Sequence, residues 1–253
     1  MKIQSILIIT LFVCTLVSCT KECPPDELGC ITELEKNLIA YYPFNGNAND
    51  ESGNGNNGVV NGAFFTTDLL GRPGKAAGFD GINDHIIVND NGKLAPAEIT
   101  ISMMVLVNNT NRRHAILNHV DFQTAKGAVY GVGQALDNTN RWEFTAINKD
   151  CNTTYVYNEA DYATSSEALQ AGRWYHLLTT FSKGVQKLYV NGELRATKTR
   201  EFNALPNCSA GQLVIGGWWK NDIVSIDGKV DEIRIYNRVL EECEIGKLTE
   251  IFK

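Results

Sequence analysis

Two aspartates and a pair of adjacent tryptophans carry most of the chemistry legible in this 253-residue sequence. In the stretch Val230–Tyr236, strand alternation puts Asp231 on the face of Ile233 and Ile235, the face expected to be buried. A carboxylate there is costly to bury unless it is paired or holds a cation. The loop Asn45–Gly58 offers Asp50 among Asn side chains and Gly-flanked carbonyls. Hard oxygen donors on such a loop suit Ca2+, which takes about six to eight of them. The same residues also read as an Asx turn at Asp50 and a backbone hydrogen bond at Asp231. Both readings stand at this point.

Sugar binding asks for flat aromatic faces beside planar polar groups. Trp218 and Trp219 sit in a loop between strands, where apolar bulk is costly to expose without a purpose. Trp142 follows the polar stretch Asp137–Arg141 and is a second platform candidate, with Arg112, Arg113 and His114 earlier in the same turn-rich region. The competing reading is packing: one of two adjacent tryptophans normally faces the core, and Trp174 reads as a core residue. Catalysis has less to stand on. Glycosidases hold two carboxylates about 5–9.5 Å apart, which on a strand appear as Glu-x-Asp-x-Glu. Glu159-Ala160-Asp161 is only a fragment of that pattern, and Asp80 and Asp84 read as turn-formers. Neither a Gly-x-Ser-x-Gly elbow nor a His-Glu-x-x-His zinc motif occurs. The chain therefore reads as non-catalytic, with an unrecognised hydrolase or lyase as the remote alternative.

Charge and cysteine usage narrow the setting. With 23 basic and 29 acidic residues the net charge is −6, and no basic block exists to neutralise phosphates, which argues against nucleic acid. Met1-Lys2, the apolar run from Ile6 to Val17 and the small residue before Cys19 form an export pattern. The run is shorter than the ~20 residues of a membrane span. Leu16-Val17-Ser18-Cys19 resembles a bacterial lipobox, so residues 1–18 read as a lipoprotein signal and Cys19 as the lipidated residue. Membrane attachment through that lipid implies a bacterial outer-membrane or cell-surface protein. Residues 19–36, with Pro24-Pro25, read as a tether, and 37–253 as one domain. Such a compartment permits disulfides. Cys23 and Cys30 could close a small loop, Cys151 and Cys208 form the natural second pair, and Cys243 is left over. The connectivity stays open.

The elements that must position these residues are strands. Leu38–Phe44, His85–Val88, Ile99–Val107, Trp174–Phe181, Val185–Val190, Glu193–Lys198, Leu213–Ile215 and Val230–Tyr236 are β-prone runs. Ile99, Ile101, Met103, Val105 and Val107 alternate onto one buried face. Asn191-Gly192 is the dipeptide of a type I′ hairpin. Only Val239–Phe252 reads as helix. Many short strands with Gly/Asn-rich turns predict an all-β antiparallel sandwich of jelly-roll type in a single domain.

Five ordered stretches carry a resemblance. They are Leu38–Gly58, Phe79–Asp84, Ile99–Ser102, Trp174–Leu177 with Leu188–Gly192, and Gly228–Arg238. Together they resemble the laminin-G-like, concanavalin A-like jelly-roll domains, over about residues 38–245. Met104 stands near a place where that family usually has Trp, and Asn83 replaces an acidic residue often seen there. The resemblance implies a structural Ca2+ between the first loop and the strand bearing Asp231. It places ligands at Asp50 and Asp231, with backbone help near Gly46 and Asn47. It further implies capture of an extracellular glycan or envelope polymer, or an adhesion contact without a sugar pocket.

Overall fold

Asn191 and Gly192 take φ of +52° and +82°, the left-handed pair that a type I′ turn requires, and they close a hairpin as their types predict. The computed structural model describes residues 34–135, 139–208 and 211–252. The expected export signal, Cys19 and the expected Cys23–Cys30 pair lie outside them. Five strands come first: β1 (Leu38–Tyr42), β2 (Val59–Asn61), β3 (Phe64–Thr66), β4 (Ala76–Asp80) and β5 (His85–Asn89). The middle holds β6 (Ile99–Val107), β7 (Ala115–Val120), β8 (Tyr130–Gln134), β9 (Arg141–Ala146) and β10 (Ala163–Ala168). Then come β11 (Trp174–Ser182), β12 (Val185–Val190), β13 (Glu193–Thr199), β14 (Gln212–Ile215), β15 (Asp227–Tyr236) and the helix α1 (Glu242–Ile251).

The strands form two antiparallel sheets. One has eight strands in the order β13-β12-β11-β6-β15-β4-β3, with β1 also paired to β15. The other has seven, β10-β9-β8-β7-β14-β5-β2. The core lies between them and includes Tyr42, Phe79, Ile101, Met103, Trp142, Phe144, Leu177, Ile215 and Ile233. This is the expected sandwich. The strand β6 is buried along all nine residues, not on one face. Its second face is also covered: Thr100 donates to the Arg238 carbonyl, and the Ser102 hydroxyl meets His176. Tyr175 rather than Trp174 enters the core, and Trp174 is half-buried on the other side of β11.

The helix α1 explains much of that second covering. Ile245 and Leu248 pack with Leu178, Tyr189 and Tyr236 on the outer face of the eight-stranded sheet. Its first turn is fixed by Glu244, which accepts from the Glu241 amide and pairs with Arg238 at 2.6 Å. Cys151 and Cys208 are bonded as expected, 57 residues apart in sequence. Cys243 is disulfide-bonded and not left over.

Alternation fails at Asp231. The β15–β6 register shifts between Asp231 and Arg234, and Glu232 sits in the bulge at φ +52°. Val230, Ile233 and Ile235 therefore share the core face. Asp231 is turned to the opposite face, across from Met104.

Candidate ligand-binding cleft

The outer face of the seven-stranded sheet carries a cleft built from two rungs of its ladders. One rung runs Val214, Asn118, Gly131, Thr145 across β14, β7, β8 and β9. The next brings Gly133 beside Glu143. Period-two alternation sends Tyr130 and Val132 into the core, so Gly131 and Gly133 form an outward floor without side chains. A Cβ at Gly131 would stand 2.5 Å from the Asn118 Oδ1, and one at Gly133 would stand 2.6 Å from the His114 carbonyl. Glycine in a strand interior weakens it, and here both glycines leave room for groups at either side.

The segment between β9 and β10 forms one wall. It is fastened by the Cys151–Cys208 disulfide and by the Tyr155 amide, which donates to the Ala125 carbonyl at 2.9 Å. Tyr155, Tyr157 and Tyr162 come from this segment and line the cleft. The Tyr155 hydroxyl donates to that of Tyr162 at 2.9 Å, and the Tyr157 hydroxyl donates to Glu143 Oε2 at 3.3 Å. The Arg113 guanidinium lies 4.9 Å from the centre of the Tyr157 ring, a cation–π contact. Burial, and then the Glu143 carboxylate, push the Tyr157 phenol above its ordinary range, with Arg113 opposing. Burial likewise raises Tyr155 and Tyr162. All three phenols thus remain hydroxyl donors at any physiological pH.

Trp218 extends that wall. Its ring meets Tyr155 edge-to-face at 6.2 Å, and its Nε1 has no hydrogen-bond partner. It rests on an outer apolar layer that includes Val120, Phe122, Val214 and Ile223. Trp219, 5.8 Å from Trp218, sits half-buried behind it and donates from Nε1 to the Gln123 carbonyl at 3.4 Å. His114 is fully buried at the cleft's end, where burial lowers its pKa and keeps it neutral. The structure thus brings Trp218 and Arg113 together, with Trp219 behind Trp218. Trp142, expected as a second platform, lies outside this cleft: it is 1% exposed and packs edge-on against Tyr175 in the core.

The residues missed by sequence reading are Gly131, Gly133, Glu143 and the three tyrosines. The Gly-Val-Gly run inside an apolar segment and the Tyr-x-Tyr in a polar one were the available signals. A family model described as the concanavalin A-like lectin/glucanases superfamily matches residues 80–246. The chain belongs to that superfamily. No curated protein matches it.

Several solved structures share this concanavalin A-like fold at low sequence identity. One is domain 4 of AbnA, a GH43 extracellular arabinanase from Geobacillus stearothermophilus, in complex with arabinotriose. It is 21% identical with a TM-score of 0.60, over 84% of this chain and 98% of that one. Another is the ligand-binding domain of botulinum neurotoxin serotype D in complex with N-acetylneuraminic acid. It is 18% identical with a TM-score of 0.62, over 87% of this chain and 52% of that one. The binding domain of Paraclostridial Mosquitocidal Protein 1 is 18% identical with a TM-score of 0.63, over 87% and 53%. The chain spans about half the length of the latter two.

Asp50 and Asp231, the carboxylates expected to bind calcium, are held in different ways. Asp50 is the hub of its loop: Oδ1 accepts from the Tyr41 and Ser52 amides, and Oδ2 from Asn56, each at 2.9 Å. Burial alone would raise its pKa, but these hydrogen bonds hold the carboxyl below its usual range. Gly46 donates to the Phe44 carbonyl at φ +79°, and the Asn47 side chain accepts the Asn49 amide. Asp231 has one hydrogen bond, from the Glu232 amide at 2.7 Å. Burial pushes its pKa up to about 8, helped by the charges of Glu232 and Asp68. The groups around Asp231 are thus Glu232, Asp68 and Arg72. No cluster of three or more His, Cys, Asp or Glu that could hold a metal occurs among the described residues.

Proposed function

We propose that the chain is a non-catalytic glycan-binding domain of a bacterial cell envelope, lipid-anchored through Cys19. The observation carrying this reading is the Trp218–Tyr155–Tyr157 wall over the Gly131/Gly133 floor. Aromatic faces there can cover the C–H surfaces of a sugar. Asn118, Arg113, Glu143 and the tyrosine hydroxyls supply directional partners for its hydroxyls. The sugar ligands named for the arabinanase and neurotoxin structures support the same ligand class. Glu143 is the one carboxylate among the cleft's described residues, which favours holding a glycan over the two-carboxylate cleavage of one.

The test is a glycan array followed by calorimetry on the best ligands. Trp218→Ala should lower affinity at least tenfold while the melting temperature stays near that of the parent. A blank array for the folded parent protein, or full affinity in Trp218→Ala, overturns the reading. A structural cation remains a second proposal, resting on Asp231. That buried carboxylate with a single donor fits a cation, whereas Asp50, held by three amides, is accounted for without one.

A further inference from the structure

A second pocket opens at the other side of β9, where β10 departs from its ladder. Thr164 pairs with Glu143 and the next pair is Ala168 with Arg141, so β10 advances four residues while β9 advances two. This wide bulge lifts residues 165–167 out of register. Ser165 fills part of the gap: its hydroxyl accepts the Trp142 amide at 3.1 Å and donates to the Glu167 carbonyl at 3.0 Å. The remaining space is lined by Trp142, Ser165, Glu167, Arg173, Tyr175 and Arg195 among others.

Its buried atoms without partners are both donors. Trp142 is 1% exposed and its Nε1–H has no partner, a buried donor that leaves a real deficit. The exposed Arg173 lies 5.3 Å from the centre of the Tyr175 ring and is in no ion pair among the described residues. Arg195 pairs with Glu167 at 2.9 Å and with Glu193, yet its Nε is buried without a partner. The Glu167 carboxylate is thus already engaged. An indole N–H and two guanidinium groups that bear unused donors match a group that only accepts.

We propose that this pocket is a carboxylate-binding site, separate from the aromatic cleft, in which the Trp142 Nε1–H and Arg173 hold the anion. The chemistry fits an acidic sugar such as a uronic acid, and equally a bare carboxylate. Arg173 supplies charge at the mouth, beside the Tyr175 ring. The indole N–H supplies a fixed, water-excluded donor at depth. The site does not depend on the glycan reading of the aromatic cleft.

The experiment is a titration of the 15N-labelled protein with glucuronate, acetate and glucose, following the four tryptophan indole N–H signals. The Trp142 signal is assigned with Trp142→Phe, or through backbone connectivities if that variant does not fold. Affinity for so small a ligand should be about millimolar, so the titration runs to about 50 mM. Glucuronate should move the Trp142 signal and glucose should not. Acetate matching glucuronate means that the carboxylate alone is recognised; glucuronate acting at lower concentration means that the ring adds contacts. Both support the site. Arg173→Ala, on an exposed side chain, should raise the half-saturating concentration at least tenfold. A Trp142 signal that stays still with both anions, moves equally with glucose, or moves unchanged in Arg173→Ala overturns the proposal.

Discussion

Tyr155 and Trp218 meet edge-to-face at 6.2 Å, joining the segment after β9 to the loop after β14. Neither ring belongs to the sandwich core; both rest on the small apolar layer outside the seven-stranded sheet. Substitutions here should therefore separate binding from folding. Trp218→Ala should lower glycan affinity at least tenfold, about 1.4 kcal/mol, with a smaller change in urea midpoint. Trp142→Ala should behave in the opposite way, because it empties a core position and costs about 3–5 kcal/mol. Equal destabilisation by the two would mean that Trp218 is a packing residue.

The disulfide of Cys151 and Cys208 fastens the wall that carries Tyr155 and Tyr157. Its loop of 57 residues is long enough for the cross-link to contribute about 2–4 kcal/mol. Replacing both cysteines with serine should lower stability by that order in urea unfolding. Glycan affinity should fall further than stability alone explains, since the tyrosines lose their fixed positions. The double variant is preferable to a reductant, because Cys243 is also disulfide-bonded and would be opened together with it. Unchanged affinity in a folded double variant would show that the wall holds itself.

Much of this was legible in the residues. The long strands were, because β6, β11 and β12 are apolar runs with β-branched residues, and Asn191-Gly192 announces its hairpin. The strands β4 and β7 to β10, among them most of the strands that build the cleft, were not, and neither were the short edge strands β2 and β3. Three residues with Val59 and Phe64 exposed carry no periodic signal. Bulges were the main source of error: one extra residue at Glu232 moves Asp231 to the other face, and no composition marks it. The cleft was half legible. Trp218 stands out as an aromatic in a loop, but Glu143 acquires its meaning only from register, by facing Gly133 across β8 and β9.

His176 makes a prediction below neutral pH. It is buried between Ser102, at 2.8 Å from Nε2, and Thr249 of α1, at 3.1 Å from Nδ1. Burial, with the charge of Arg234, lowers its pKa to about 4. An unfolded histidine binds its proton near pH 6.5, so between about pH 6.5 and 4 the unfolded state holds more protons. This residue therefore lowers stability as pH falls through that window. His176→Gln should remove that loss, seen as a higher ratio of stability at pH 4.5 to that at pH 7 in denaturant titrations. An identical pH profile in the variant would mean that His176 binds its proton in the fold over the same pH range as in the unfolded chain.

Asp231 acts with the opposite sign and over a wider range. Its pKa is about 8 in the fold against 3.8 for an ordinary aspartate, so the folded state binds the extra proton between those values. Stability should thus fall as pH rises from about 4 to 8, by up to about 1.4 kcal/mol per pH unit. Below pH 6.5 His176 and His114, both with lowered pKa values, oppose the slope, and above 6.5 only Asp231 of these three contributes. In chelator, the parent protein should lose stability from pH 6.5 to 8, and Asp231→Asn should be flat there. Added Ca2+ distinguishes the two views of the site. A cation held by Asp231 replaces the proton, so it should abolish the slope and raise the melting temperature of the parent but not of Asp231→Asn. A slope that persists in millimolar Ca2+ would leave Asp231 as a buried, protonated carboxyl whose only partner is the Glu232 amide, and would end the calcium proposal.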